Sequence, residues 1–152
     1  MIIVLQRVKR ASVEVEGRLV GEVGKGICLL VGIEKGDTEQ DAALLARKVT
    51  ELRIFPDDLG KMNLSLEEVQ GKVLAVSQFT LAASVRKGRR PGFDNAEEPG
   101  KAQGLFNFFV ESVRQRGIKV ETGVFQALME VLIVNDGPVT FILTSRQSLE
   151  PK

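Results

Sequence analysis

Asn135-Asp136-Gly137-Pro138-Val139-Thr140 separates two apolar, β-branched runs, residues 128–134 and 139–144, and its reading decides how the end of the chain pairs. Asp136 and Gly137 suit a tight turn, because glycine tolerates positive φ and aspartate bonds to its own backbone. Pro138 fixes φ, removes an N–H, and makes the preceding peptide bond one of the few for which cis is accessible. Asp-Gly alone would close a plain hairpin. The added proline freezes where two carbonyl oxygens point, which matters if those carbonyls meet a ligand. The hexapeptide reads either as a stiff hairpin tip or as a rigid loop that presents backbone.

The rest of the chain supplies strands for that segment to join. Ile2-Ile3-Val4-Leu5 is strand-like, and Ser12-Val13-Glu14-Val15-Glu16 alternates with period two. Gly17-Arg18 then turns, and Leu19-Val20-Gly21-Glu22-Val23 returns. Residues 27–33 are continuously apolar, as in a strand buried on both faces. Asp37 or Thr38 caps a helix that runs to Leu52, with Gln40 at capping-box spacing from Asp37. Its apolar positions Ala42, Leu45, Ala46, Val49 and Leu52 repeat at helical spacing. Arg53-Ile54-Phe55 reads as a short strand, and residues 72–79 as another buried one. A polar loop follows. A second helix opens at Pro99 or Gly100 and runs to Arg116, with Ala102, Leu105, Phe106, Phe109 and Val113 on one stripe and Gly117 as C-cap. Residues 119–122 add to the sheet, and residues 145–152 read as fraying. The expected fold class is α/β: a single compact domain, residues 1–146, with large mixed or antiparallel sheet layers and two principal helices packed on one side. A flexible C-terminal tail is expected at 147–152.

Composition narrows the chemistry. Lys plus Arg total 21 against 20 Asp plus Glu, a net charge of +1, so nothing predicts bulk attraction to nucleic acid and any RNA contact must be local. Histidine is absent, which excludes Ser-His-Asp and Cys-His catalysis and histidine-based zinc sites. No metal and no cofactor are expected. The single cysteine, Cys28, sits in an apolar run and reads as a small core residue. One cysteine cannot form an internal disulfide, which fits a reducing cytoplasm. Met1 leads straight into strand-like residues, so neither a signal peptide nor a membrane span is expected.

Ser77-Gln78-Phe79-Thr80-Leu81 places two hydroxyls and an amide at the end of a buried strand, a common position for a site. Thr80 invites a nucleophile reading, but no histidine exists to activate it and it is not N-terminal. Successive backbone N–H groups at the strand end could instead form an oxyanion hole. Ordinary strand structure is the plainer reading. The following loop carries Arg86, Lys87, Arg89 and Arg90, four cations in five positions, which are either solvated or meet phosphate. Arg7, Lys9 and Arg10 form a smaller cluster at the end of the first strand.

Taken together, Ser77-Gln78-Phe79-Thr80-Leu81, Lys87-Gly88-x-Arg90-Pro91-x-Phe93 and Asn135-Asp136-Gly137-Pro138-Val139-Thr140 resemble, in order and spacing, the motifs of the D-aminoacyl-tRNA deacylases. The resemblance extends over nearly the whole chain and includes Gln6-Arg7-Val8-x-Arg10-Ala11-Ser12-Val13 and Gly60-Lys61-Met62-Asn63-Leu64. It implies hydrolysis of the ester joining a D-amino acid, or glycine, to the 3′-terminal adenosine of tRNA. It also implies a homodimer with its site at the interface and no membrane or DNA partner. In that family Gly137-Pro138 is cis and enters the partner's pocket, where it excludes an L side chain. Ser77, Gln78, Phe79 and Thr80 line the reaction centre, and catalysis leans on the terminal 2′-hydroxyl of the tRNA. Arg7, Arg86, Lys87, Arg89 and Arg90 are the expected tRNA contacts. Phe125, Ala127, Met129 and Asn135 are the expected pocket wall. Where the family commonly shows Phe-Gly/Ala-Ala-Asp-Met, this chain has Phe125-Gln126-Ala127-Leu128-Met129, so Gln126 and Leu128 depart from the pattern.

Overall fold

The computed structural model describes residues 1–146, and the tail expected at 147–152 lies outside the described residues. The chain opens with β1 (Ile2–Val15), a strand of 14 residues. Glu16 and Gly17, both at positive φ, turn it into β2 (Arg18–Val23), the conformation that a two-residue hairpin turn demands. The turn therefore lies one residue earlier than Gly17-Arg18. Beyond Gly24 and Lys25 the same run resumes as β3 (Gly26–Gly32), so β2 and β3 lie end to end along one edge of β1.

Next comes α1 (Glu39–Glu51), which buries Ala42, Leu45, Ala46 and Val49 as the helical spacing requires. Its capping box joins Thr38 to Asp41 rather than Asp37 to Gln40. Asp37 is otherwise engaged: its buried carboxylate pairs with the Met1 amino group and accepts from the Glu34 N–H (2.7 Å) and Arg146 (3.1 Å). A carboxylate taken that far from water needs such partners. A small two-stranded ribbon, β4 (Phe55–Pro56) with β5 (Met62–Leu64), leads to β6 (Lys72–Ser77). Helix α2 (Pro99–Arg114) begins at Glu98, whose carboxylate accepts from the Gly100 and Lys101 N–H groups. It carries the chain to β7 (Val120–Thr122).

The last strand decides between the two readings of the hexapeptide, against the hairpin tip. β8 (Glu130–Thr144) is one strand of 15 residues, and both of its halves pair antiparallel with β1. Five steps of β8, from Thr140 back to Asn135, oppose two steps of β1, from Gln6 to Val8. Asp136, Gly137 and Pro138 are thus extruded from the ladder as a wide bulge. The physical reason lies in β1. Its free edge is long enough to pair with both apolar runs, whereas pairing them with each other would leave that edge uncovered. The Gly137–Pro138 peptide bond is cis.

β6 lies parallel to β3, and β7 parallel to β6, while α1 and α2 pack together on one face of the six-stranded sheet. That face holds the main core, which includes fully buried Phe55, Phe109, Leu29 and Leu45. Each such side chain contributes roughly 1.5–3 kcal/mol. The other face curls around a second cluster of Val8, Val13, Val23, Cys28, Leu74 and Val76. The curl nearly closes a barrel: a Cβ on Gly21 of β2 would lie 2.9 Å from the Thr122 carbonyl of β7. Cys28 is the expected core residue, and burial pushes its thiol up to about 12. Ser145 and Arg146, read as fraying, are tied in. The Ser145 N–H donates to the Met1 carbonyl at 3.0 Å, and Arg146 pairs with Asp37. No helix of the described residues is long and apolar enough to cross a membrane.

Candidate active site

Parallel β3 and β6 end side by side, and the carboxyl ends of parallel strands are where α/β sheets open toward ligands. The Gln78 N–H still donates to the Val31 carbonyl at 2.8 Å, after which the chain tightens into a 3-10 turn, residues Phe79–Ala82. The first N–H groups of such a turn have no intrahelical acceptor, so those of Phe79 and Thr80 remain available. The Gln78 amide donates to the Thr80 hydroxyl at 2.6 Å, which ties the two side chains together. Among the described residues no carboxylate or lysine hydrogen-bonds to that hydroxyl, and the sequence has no histidine. An amide is no base, so nothing here activates Thr80 as a nucleophile.

Above this strand end lies a cavity of about 450 Å³, lined by Ser77, Gln78 and Phe79 from one segment and by Phe125, Ala127 and Met129 from another. Sequence-distant residues singled out for the site therefore share one wall. Gln126 and Leu128, the two departures from the family pattern, also line it. Ala127 closes a turn onto Val124, and Gln126 sits within it at φ +64°. Such a conformation is uncommon for a residue other than glycine. The remaining lining comes from Ile33 after β3, from Val76 and Val131, and from Ala96, Glu97, Pro99 and Ala102 around the start of α2. Sequence reading placed residues 96–99 in or beside a polar loop. Only the packing of α2 beside β3, tied by the Glu97 N–H to the Ile33 carbonyl at 3.1 Å, brings them here. Among the described residues, Glu97 is the one ionisable group in the lining. The Glu98 N–H and the Lys101 ammonium hold its carboxyl below the usual range.

Thr80 does not line the cavity but stands beside it, hydrogen-bonded to Gln78. Asn135, Gly137 and Pro138 are absent from this wall too. Asn135 instead braces the bulge, its amide donating to the Arg7 carbonyl at 2.9 Å and to the Val139 carbonyl at 3.1 Å. Arg7 was expected to meet tRNA. Its nearly buried guanidinium is occupied within the chain, pairing with the Asp136 carboxylate at 3.0 Å and donating to the carbonyls of Asp136 (3.2 Å) and Ile54 (2.7 Å). Arg86, Lys87, Arg89 and Arg90 are all exposed, and none forms an ion pair among the described residues. Mutual hydrogen bonds between Ser84 and Gly92, both 2.8 Å, pinch their loop at its base. Phe93 packs its ring 5.2 Å from that of Phe79, so the cations are held beside the cavity.

Fold and cavity together define a single-domain α/β protein with a mostly apolar cavity at the end of two parallel strands and no histidine in its sequence. Over residues 4–144 the chain matches the family described as D-Tyr-tRNA(Tyr) deacylase, and it belongs to that family of enzymes. Proteins called D-aminoacyl-tRNA deacylase are similar to it along nearly their whole lengths. That of Geobacter sulfurreducens is 59% identical over 94% of this chain and 94% of that protein. That of Persephonella marina is 58% identical over 96% and 99%, respectively. Among solved structures, one described as "c-Myc DNA Unwinding Element Binding Protein" superposes with a TM-score of 0.89 at 43% identity, covering 94% of this chain and 97% of that one. Another, of a probable eukaryotic D-amino acid tRNA deacylase, shares the fold with a TM-score of 0.82 at 18% identity, covering 93% and 97%.

Proposed function

We propose that this chain hydrolyses the ester of D-aminoacyl-tRNA, and of glycyl-tRNA mischarged on a non-cognate tRNA, releasing free tRNA and the amino acid. Family membership supports the reaction, and one observation carries the site: Ser77–Phe79 and Phe125–Met129 meet around a cavity beside unoccupied backbone donors. In this reading the ester carbonyl lies against the N–H groups of Phe79 and Thr80. Water adds to the carbonyl carbon, and those donors hold the oxyanion of the tetrahedral intermediate. The bond to the ribose 3′-oxygen then breaks, and that oxygen takes up a proton. The neighbouring 2′-hydroxyl of the tRNA orients the water and relays the proton, since the Thr80 hydroxyl beside the donors has no base hydrogen-bonded to it among the described residues.

Chirality follows from a wall rather than a charge. Gly137 and Pro138 do not line the cavity of their own chain, yet Arg7 and Asn135 hold the bulge that presents them. A second copy brings them to the site: a homodimer places this bulge in the partner's cavity, where an L side chain would project. The edge of β8 left free by β1, with Leu132 and Ile142 exposed along the strand, supports such an interface. The exposed basic loop meets phosphates near the aminoacylated end, in the cytoplasm where charged tRNA is found. The test is release of labelled amino acid from D-tyrosyl-, glycyl- and L-tyrosyl-tRNA, together with sedimentation. D-tyrosine and glycine should be released, L-tyrosine spared, and the protein should sediment as a dimer. Equal release of both enantiomers would remove the wall, no release of D-tyrosine would remove the activity, and a fully active monomer would remove the shared site.

A further inference from the structure

Glu97 has no part in the hydrolysis proposed above, and helix capping does not require it, since the carboxylate of Glu98 takes the Gly100 and Lys101 N–H groups. Yet its side chain, only 9% exposed, lines the cavity. One carboxylate oxygen accepts from the Glu98 N–H at 2.9 Å, and the other lies 3.0 Å from the Lys101 ammonium. The Gly36 N–H acts on the same carboxylate, and of its roughly four acceptor positions one remains. Its charge is already balanced by Lys101, which suits the remaining position to a neutral N–H donor better than to a second cation. The residues around it, Ile33, Ala96, Pro99 and Ala102, are small or apolar and supply no side-chain donor. That part of the cavity joins an apolar wall to a single carboxylate edge.

The position fits the substrate. Glu97 is tied to Ile33, one residue beyond β3, and Gln78 to Val31 within it. Those anchors stand two strand residues apart, about 7 Å, so a nucleoside whose ribose ester lies at Gln78 can extend its base toward Glu97. We infer that Glu97 is a specificity-determining residue, accepting a hydrogen bond from the exocyclic amine of the 3′-terminal adenine of the tRNA. The inference rests on this cavity being the deacylase site. A carboxylate there would repel the carbonyl edge of hypoxanthine or guanine and gain nothing from an unsubstituted purine.

The experiment compares D-tyrosyl-minihelix RNAs that end in adenosine, purine riboside or inosine. With the wild-type protein, purine should raise KM about tenfold or more, as expected for a lost hydrogen bond to a charged group, and inosine should raise it further, with kcat little changed. Glu97→Met should erase the difference between adenosine and purine, and Glu97→Gln should restore part of it. If Glu97 only pairs with Lys101, Lys101→Met would behave like Glu97→Met, and the KM ratio between RNA ends would stay the same in every variant. Either that result, or a wild type indifferent to the terminal base, overturns the assignment. Ala127→Phe, which fills the cavity, separates the two failures. Undiminished turnover in that variant removes the cavity as the reaction site, whereas its loss of activity combined with base indifference removes only the role of Glu97.

Discussion

Arg7 shows how one side chain can hold a surface feature in place. A fully solvated arginine would sample many rotamers, but this one spans β1, the carbonyl of Ile54 and the bulge at Asp136. Replacing it with Met keeps much of the packing and removes every donor. Leaving the buried Ile54 carbonyl unpaired should cost about 1–3 kcal/mol, read as a lower thermal midpoint. If the bulge forms the chiral wall, Arg7→Met should also lose more discrimination between D- and L-tyrosyl-tRNA than turnover on the D-form. Unchanged discrimination in a destabilised but folded variant would show that Arg7 serves stability alone. Thr80 makes the opposite case. Its hydroxyl accepts from Gln78 and has no base hydrogen-bonded to it among the described residues, so Thr80→Ala should lose at most about 1–3 kcal/mol of transition-state stabilisation. Collapse by about five orders of magnitude, or a trapped aminoacyl-Thr80 adduct, would establish covalent catalysis instead.

At the scale of elements, the polar loop between β6 and α2 owes its shape to a pinch and an aromatic contact rather than to regular structure. The Ser84–Gly92 bridge closes its base, and Phe93 against Phe79 fixes it beside the cavity. Its cations have no intramolecular partners among the described residues, so neutralising Lys87, Arg89 and Arg90 together should leave the fold and its thermal midpoint nearly unchanged. Binding of tRNA should weaken, and its dependence on salt should flatten, because fewer counterions are released. Turnover on saturating substrate should change less than KM. An unaltered salt slope would assign the loop to solvated surface. The same loop ends at Glu97 and Glu98, neighbours with different tasks, and only the path of the backbone into α2 separates the cap from the cavity wall.

For the whole molecule, the decisive feature is the curl that brings β2 back to β7. Gly21 makes it possible, since a side chain there would press on the Thr122 carbonyl. Gly21→Val should pry these strands apart at a cost of about 1–3 kcal/mol, the usual range for overpacking. The strain would reach the second core cluster, whose edge residues Met129 and Val131 also line the cavity. Denaturant unfolding should therefore show a lower midpoint, and KM should rise even though no substituted residue touches the cavity. A stability unchanged within error would show that the barrel tolerates opening.

Much of this architecture was legible beforehand because it depends on local periodicity. The stripe of Ala42, Leu45, Ala46 and Val49 specifies a helix face wherever that helix packs, and residues 27–33 specify a buried strand. The capping box was misassigned because Asp37 and Thr38 are equally good caps in isolation, and only the buried pair with the Met1 amino group removes Asp37 from the choice. The hexapeptide at 135–140 left two readings open for a related reason. Its local chemistry is that of a turn, and whether its flanks pair with each other or with a third strand is decided by a partner more than a hundred residues away. By itself, the sequence determined the helices, the strands, the absence of histidine chemistry and the motifs that mark the family. The tertiary structure alone decided that Ser77–Phe79, Phe125–Met129 and Glu97 share a cavity, that Arg7 braces a bulge and that Gly137-Pro138 lies outside its own chain's cavity. Periodicity acts over one turn or one strand, whereas a cavity exists only where elements distant in sequence are packed side by side.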